Sequence, residues 1–248
     1  MVMFGWVPVV IGLFQRLLTR RAVIAALLVG WMLLPQYVYD LPVLPSYHRQ
    51  SAITWTLLFC VLLFDRETLL AFRFHPLDLP MLLFCVTPLF SSLANNLGLY
   101  DGVSFMVEQF STWFLFYLIG RLYFGDLTAM RELAVGLFLA AVVLTPFLLF
   151  EMVMSPRLHR IIYGFHPHHF GQSRRWGGWR PIVFMKHGLQ TAMWMASATL
   201  AAVQLQSVHA LEWVRQRFHL PPLWVVAGLV LATILCKSMG ALLLFCMG

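Results

Sequence analysis

Charge is scarce in this chain. Of its 248 residues only 11% are Asp, Glu, Lys or Arg, against about a quarter in ordinary soluble domains. So little polar surface cannot cover a water-exposed globule, which excludes a soluble enzyme, a disordered tail and a nucleic-acid arm. Carboxylates are the scarcer sign, ten Asp and Glu against seventeen Lys and Arg. Residues 152–211 contain none at all. Cysteine is sparse too. Cys60, Cys85, Cys236 and Cys246 lie in apolar runs with no two at metal-ligand spacing. They read as small buried hydrophobes, not as disulfides or zinc ligands. No basic stretch precedes the first apolar run and no small-x-small site follows Phe14, so residues 1–14 read as retained rather than as a cleaved signal. Internal repeats, Gly/Ser linkers and low-complexity tails are absent.

What is present is apolar: 60% of the residues, with a mean hydropathy of +0.79. A helix needs about 20 such residues to cross a bilayer, with about 17–25 tolerated. Uncharged runs occur at 2–18, 22–39, 51–64, 79–94, 103–120, 133–150, 188–208 and 223–236, and an apolar stretch follows at 241–248. The expected fold is an all-α, polytopic membrane protein of about 8 helices (range about 7–9). Its organisation reads as transmembrane helices over 1–150, a basic Arg/His-rich outer loop over 151–187, and further transmembrane helices over 188–248. Trp6, Tyr37, Trp55, Trp113, Tyr123 and Trp224 stand near span ends, as an interfacial belt would place them.

Loop charges orient the spans. One alternate set of short loops holds Arg16, Arg20, Arg21, Arg66, Arg73, Arg121, Arg131, Arg215 and Arg217, whereas the opposite short loops hold Arg49 and Lys237. The positive-inside rule places the richer set in the cytoplasm and the N-terminus outside. The loop 151–187 then falls outside, and its six cations bring the outer total to eight against nine inside.

That loop concentrates the chemistry. Arg157, Arg160, Arg174, Arg175, Arg180 and Lys186 have no local carboxylate, so they attract an external anion, and arginine's planar fork suits phosphate oxygens. Membrane headgroups are the plainer occupant of such charges. Trp176 and Trp179 are interleaved with them and can hold a sugar ring or dip into the interface. His166, His168 and His169 crowd into four residues, but Pro167 breaks helical spacing and no Cys or acid is near, so no metal is expected. A proton acceptor would be His187 or His169, or an acid among Asp40, Asp101 and Glu108. Glu108 is singled out because it sits within an apolar run, where ionisable groups are costly. Lys237 and Ser238 interrupt the apolar stretch 223–248, either inside one helix or at a break between two.

The run from Arg174 through Trp179, Arg180, Pro181, Phe184, Lys186, His187 and Gly188 opens an apolar helix. It resembles the outer-loop segment of the O-antigen ligase and O-antigen/exopolysaccharide polymerase superfamily, with Arg180, Phe184 and His187 at the family's Arg, Phe and His-Gly positions. Cys236–Leu244 resembles that family's Ser-Arg-Gly-Ala-Leu-Leu stretch, although Met239 replaces the Arg and Lys237 precedes the Ser. Tyr117–Tyr123 resembles its basic helix end. The resemblance spans the chain but only the first part of the family's fold, which continues through more spans and a second outer loop. It implies a metal-independent, cofactor-free glycosyltransferase of the bacterial inner membrane, active at the outer face. The donor would be an undecaprenyl-diphosphate-linked glycan and the acceptor a glycan or lipid hydroxyl. On that reading Arg180, His187 and Glu108 are the catalytic candidates. Arg174, Arg175, Lys186, His169, Trp176, Trp179, Lys237 and Ser238 bind the substrate. A transporter or flippase for an anionic lipid-linked glycan, or a non-catalytic envelope subunit, remain competing functions. A transporter would line its path with charges inside the spans, and only Glu108 and Lys237 offer them.

Overall fold

A computed structural model describes residues 2–39 and 45–248; Asp40 lies outside the described residues. The chain is helical with almost no sheet. Its elements in order are α1 (Trp6–Arg16), α2 (Thr19–Leu33), β1 (Val38–Tyr39), β2 (Tyr47–His48), α3 (Arg49–Phe64), α4 (Arg66–Leu70), α5 (Leu79–Ala94) and α6 (Leu99–Gln109). A π turn (Phe110–Phe114) joins α6 to α7 (Leu115–Tyr123). There follow α8 (Leu127–Met154), α9 (Leu158–Tyr163), β3 (Arg174–Arg175), β4 (Gly178–Trp179), α10 (Gly188–Ser207), α11 (Glu212–Phe218), α12 (Pro222–Leu235) and α13 (Met239–Met247).

Three of these helical stretches are long and apolar enough to cross a membrane: Pro76–Ala94, Leu99–Tyr123 and Leu127–Met154. A fourth joins them if α11 and α12, bent by 103° at their break, count as one span. The helix α8 makes the physical point. Its 28 residues have only 22% of their most apolar window buried, and Val143, Phe147 and Val153 stand exposed. Among the described residues so wide an apolar face is left exposed, as suits a helix in lipid. The 20-residue α10 is less apolar, because Gln190, Gln204 and Gln206 interrupt it.

The chain divides into two compact units, Met1–Ala129 and Met130–Gly248, with the boundary inside α8 and the basic loop wholly in the second. In the first unit α1, α2 and α3 pack around Val10, Ala26, Ile53 and Leu57, all fully buried. Gly30 permits that approach: a Cβ there would stand 2.9 Å from Ile53 Cγ1 and 3.0 Å from Trp6. Gly102 does the same between α6 and α5, where a Cβ would meet Leu89 and Ser92 at 3.0 Å. Small residues at crossings are the usual means of bringing apolar helices close without a hydrophobic driving force. In the second unit α10 packs on α12, where a Thr199–Thr233 hydroxyl pair at 2.9 Å links them; Ala192 and Ala196 of α10 and Ala232 of α12 are buried.

The apolar stretch 223–248 is two helices. Their break falls at Cys236–Ser238, with Lys237 in left-handed backbone at φ 54°. Glu108 is well inside a helix that begins at Leu99, so it is an intrahelical charge and not a residue preceding the span.

Candidate functional site

The site forms where the basic loop turns into α10. Glu151, at the end of α8, is fully buried. One of its oxygens accepts the N–H of Leu158 at 2.9 Å; the other accepts those of Ile182 at 2.8 Å and Val183 at 2.7 Å. The lone carboxylate of this region is therefore a clip that ties both ends of the loop to one point. The clip holds Val183 at φ 53°, a region that a β-branched residue enters only when its surroundings force it. Thr191 completes the anchorage by donating its hydroxyl to the Ile182 carbonyl at 2.9 Å.

Next in sequence, His187 caps α10. Its Nδ1 accepts the N–H of Gln190 at 3.2 Å, while the Gln190 side chain accepts the N–H of Lys186 at 3.0 Å. A ring nitrogen that accepts a bond carries no proton, so the neutral ring of His187 bears its hydrogen on Nε2. In this geometry His187 offers solvent an Nε2–H donor, while its Nδ1 lone pair is engaged by the Gln190 amide.

The strands β3 and β4 pair Arg174 with Trp179 and Arg175 with Gly178. Trp176 and Gly177 form the turn at φ 48° and 69°, the two left-handed positions of a type I′ hairpin. Arg174, Arg175 and Trp176 are exposed at the tip, and Trp179 lies against Phe170 at 5.3 Å. Arg180 leaves the hairpin with its N–H donated to the Ser173 carbonyl at 2.7 Å. Its side chain then crosses the start of α10. A Cβ on Gly188 would stand 2.7 Å from Arg180 Cγ, Cδ and Nε, so only glycine leaves room for the guanidinium there. Arg180 Nη2 donates to Ser238 Oγ at 3.0 Å, and Ser238 is the residue that begins α13. The Lys237 ammonium lies over Gly178 in space that a side chain would fill.

Arg180, Ser238 and the first residue of α10 are thus brought together, and Lys237 stands beside the hairpin strand that leads into Arg180. Among the described residues no carboxylate pairs with Arg174, Arg175, Arg180, Lys186 or Lys237. Burial and the nearby Arg175 both hold the Arg180 guanidinium below its ordinary value, the direction expected where cations gather without a counter-charge. Arg180 Nε has no hydrogen-bond partner, nor do Ser173 Oγ, His166 Nε2 and His168 Nδ1, all of them buried atoms. Buried polar atoms are normally satisfied, and with Ser155 Oγ the loop 151–187 holds five that are not, which leaves it capacity for an external partner. Lys186 and His169 are exposed at the periphery.

Sequence reasoning missed Ser173, the role of Gly178 and Gly188 as seats for cations, and His168. Burial, with the Arg180 charge and repulsion from any protonated neighbouring histidine adding to it, lowers the proton affinity of His168 and favours its neutral ring. The three clustered histidines do not converge on a metal. His166 Nδ1 donates to the His168 carbonyl at 2.5 Å, the two rings stack at 5.3 Å, and no group of three ligating side chains exists among the described residues.

Glu108 belongs to the first unit, where its neighbour is His48 at 3.6 Å. Asp101 is in the first turn of α6. No family model, curated protein or solved structure matches the chain.

Proposed function

We propose that the chain is a membrane glycan ligase or polymerase, moving a glycan from a lipid-diphosphate carrier of the undecaprenyl type to an acceptor hydroxyl. The observation that carries this reading is Arg180. Its guanidinium is bonded to Ser238, seated on Gly188 and accompanied by Lys237, and it has an unpartnered Nε and no carboxylate. A diphosphate leaving group needs fixed positive charge where its own negative charge develops, and preorganised charge of this kind is usually the largest catalytic term. In the transfer, the acceptor oxygen bonds to the anomeric carbon as the carbon–oxygen bond to the diphosphate breaks. The diphosphate leaves with the electron pair, held by Arg180, Lys237, the Nε2–H of His187 and the first N–H groups of α10. The acceptor's proton goes to an imidazole of the same loop, His168 or His169; this step adds about 10²–10⁴-fold. Trp176 and Trp179 offer ring faces to sugars beside the phosphates. Glu108 has other neighbours, and this reading places no step on it.

The same reading includes about eight spans, with shorter apolar helices such as α3 crossing beside the long ones, and the loop 151–187 on the outer face of a bacterial inner membrane. The test is transfer from a lipid-diphosphate donor by the protein in lipid nanodiscs, comparing Arg180→Lys and Arg180→Ala at matched folded amounts. Both lose most of the activity if the bidentate fork is needed, because lysine keeps the charge but not the fork. Near-normal transfer by Arg180→Ala would reject the reading and leave a headgroup anchor.

A further inference from the structure

The first unit holds a second ionisable pair, independent of the transfer reading. His48 ends β2 and caps α3. Its Nδ1 accepts the N–H of Ser51 at 3.2 Å and lies 3.1 Å from the Ser51 hydroxyl. The neutral ring therefore bears its hydrogen on Nε2. That nitrogen faces Thr112 Oγ1 at 3.3 Å and Glu108 Oε1 at 3.6 Å. The first distance is within hydrogen-bond reach. The second is just beyond it, in ion-pair range.

The surroundings single this pair out. Glu108 sits two residues before the π turn in a 25-residue apolar stretch. Ionisable side chains in such helices are rare and functional, and π turns recur at functional sites. The helix α3 grips the widened turn: Thr54 donates its hydroxyl to the Ser111 carbonyl at 2.8 Å, and Trp55 Nε1 donates to Ser111 Oγ at 3.0 Å. The other titratable groups here are Tyr47 on β2, Arg49 on α3 and Cys85 on α5. Arg49 donates to the Trp31 carbonyl at 2.9 Å and stacks on that ring. Cys85 Sγ is directed at the Gln109 carbonyl at 3.8 Å. Glu108 is the charge acting on the imidazole.

We propose that His48 and Glu108 form a proton-binding site, in which one proton turns the imidazole from the cap of α3 into the cationic partner of Glu108. The proton enters at Nδ1, the only ring position without one. The new N–H cannot accept from Ser51, so it turns to the Ser51 hydroxyl and the Ser51 amide loses its acceptor. The ring now has a full charge beside a carboxylate, and the 3.6 Å separation closes to a charge-assisted bond. The start of α3 loosens while the turn at Glu108 tightens. Burial opposes uptake and Glu108 favours it, with burial the larger effect, so the proton binds on the acid side of about pH 6.5.

The experiment follows the ring nitrogens of the ¹⁵N-histidine-labelled full chain in lipid nanodiscs from neutral to acid pH, with His48→Asn identifying the His48 signals. At neutral pH the proton should be on Nε2 alone, and a single proton should add to Nδ1 on acidification. Glu108→Gln should weaken that uptake about fivefold or more, the Coulomb attraction at this range even in water. Hydrogen exchange at the first turn of α3 should rise on acidification by about 2- to 30-fold above its intrinsic pH dependence, the effect of losing an N-cap. In His48→Asn, which caps but does not titrate, this rise should vanish. A neutral ring protonated on Nδ1, a midpoint unmoved by Glu108→Gln, or an undiminished acid response in His48→Asn would each overturn the proposal. The ring-nitrogen and Glu108→Gln measurements decide it even if His48→Asn does not fold.

Discussion

Replacing Glu151 by Gln tests the claim that one buried carboxylate builds the candidate site. The substitution preserves shape and removes charge. In the native protein one oxygen accepts from both Ile182 and Val183, and the other accepts from Leu158. The least damaging glutamine orientation keeps its carbonyl on the first pair and points its amide at the Leu158 N–H, donor against donor. Leaving that buried N–H unsatisfied costs about 1–3 kcal/mol. The two surviving bonds fall from charge-assisted to neutral, a loss of about 1 kcal/mol each. The sum is roughly 3–5 kcal/mol, a large share of the 5–15 kcal/mol that typically separates folded from unfolded chains. Equilibrium unfolding in detergent micelles measures the total, and amide exchange at Ile182 and Val183 locates it. Val183 gives a second readout, since its φ of 53° is maintained by the clip and should relax toward ordinary backbone when the clip weakens. If Glu151→Gln unfolds within about 0.5 kcal/mol of the native chain, or if exchange at 182–183 is unchanged, the carboxylate is not what holds the loop.

Other perturbations probe different parts of the same region. Gly188→Ala should displace the Arg180 side chain from its 2.7 Å seat, destabilise the fold by about 1–3 kcal/mol through overpacking, and abolish pyrophosphate binding measured by calorimetry. Gly171→Ala, with nothing within 4 Å, is the matched neutral control. His168 has its proton affinity lowered in the fold, so the unfolded chain takes the proton first. Stability should then fall as pH drops through about 6.5 and level off below the folded value, and His168→Asn should flatten that slope in unfolding series run from pH 7.5 to 5. Single cysteines at Phe170 and Trp176, in a background without the native four, should react with an impermeant thiol reagent added outside intact cells. Reaction only after the inner leaflet is exposed would reverse the proposed orientation.

Much of this architecture was legible in the sequence because hydropathy and length are additive along a chain. The runs at 79–94, 103–120 and 133–150 correspond to the three long apolar helices, which extend beyond them because Asp78, Asp101, Arg121, Arg131, Glu132 and Glu151 are tolerated near helix ends. The convergence of Arg180 with Ser238 was legible only as two suspicions, an arginine at a loop–helix boundary and an interrupted apolar stretch. What joins them is spatial: a glycine at the first position of α10 and another in β4, each leaving room for a long cation. Glycine's usefulness there is an absence of atoms, which no local pattern announces. The same holds for Glu151. It is the one carboxylate at the edge of a basic region, and three backbone N–H groups from two separated segments occupy it; sequence spacing contains no trace of them. Histidine roles diverge for a related reason. His48 and His187 both have Nδ1 on a backbone amide and so present Nε2–H as a donor, His48 toward Thr112 and Glu108, whereas burial and surrounding charge lower the proton affinity of His168. Identical side chains thus differ in proton affinity and in the nitrogen that carries the proton, according to burial and to whether the backbone claims a ring nitrogen, and both are set by the fold.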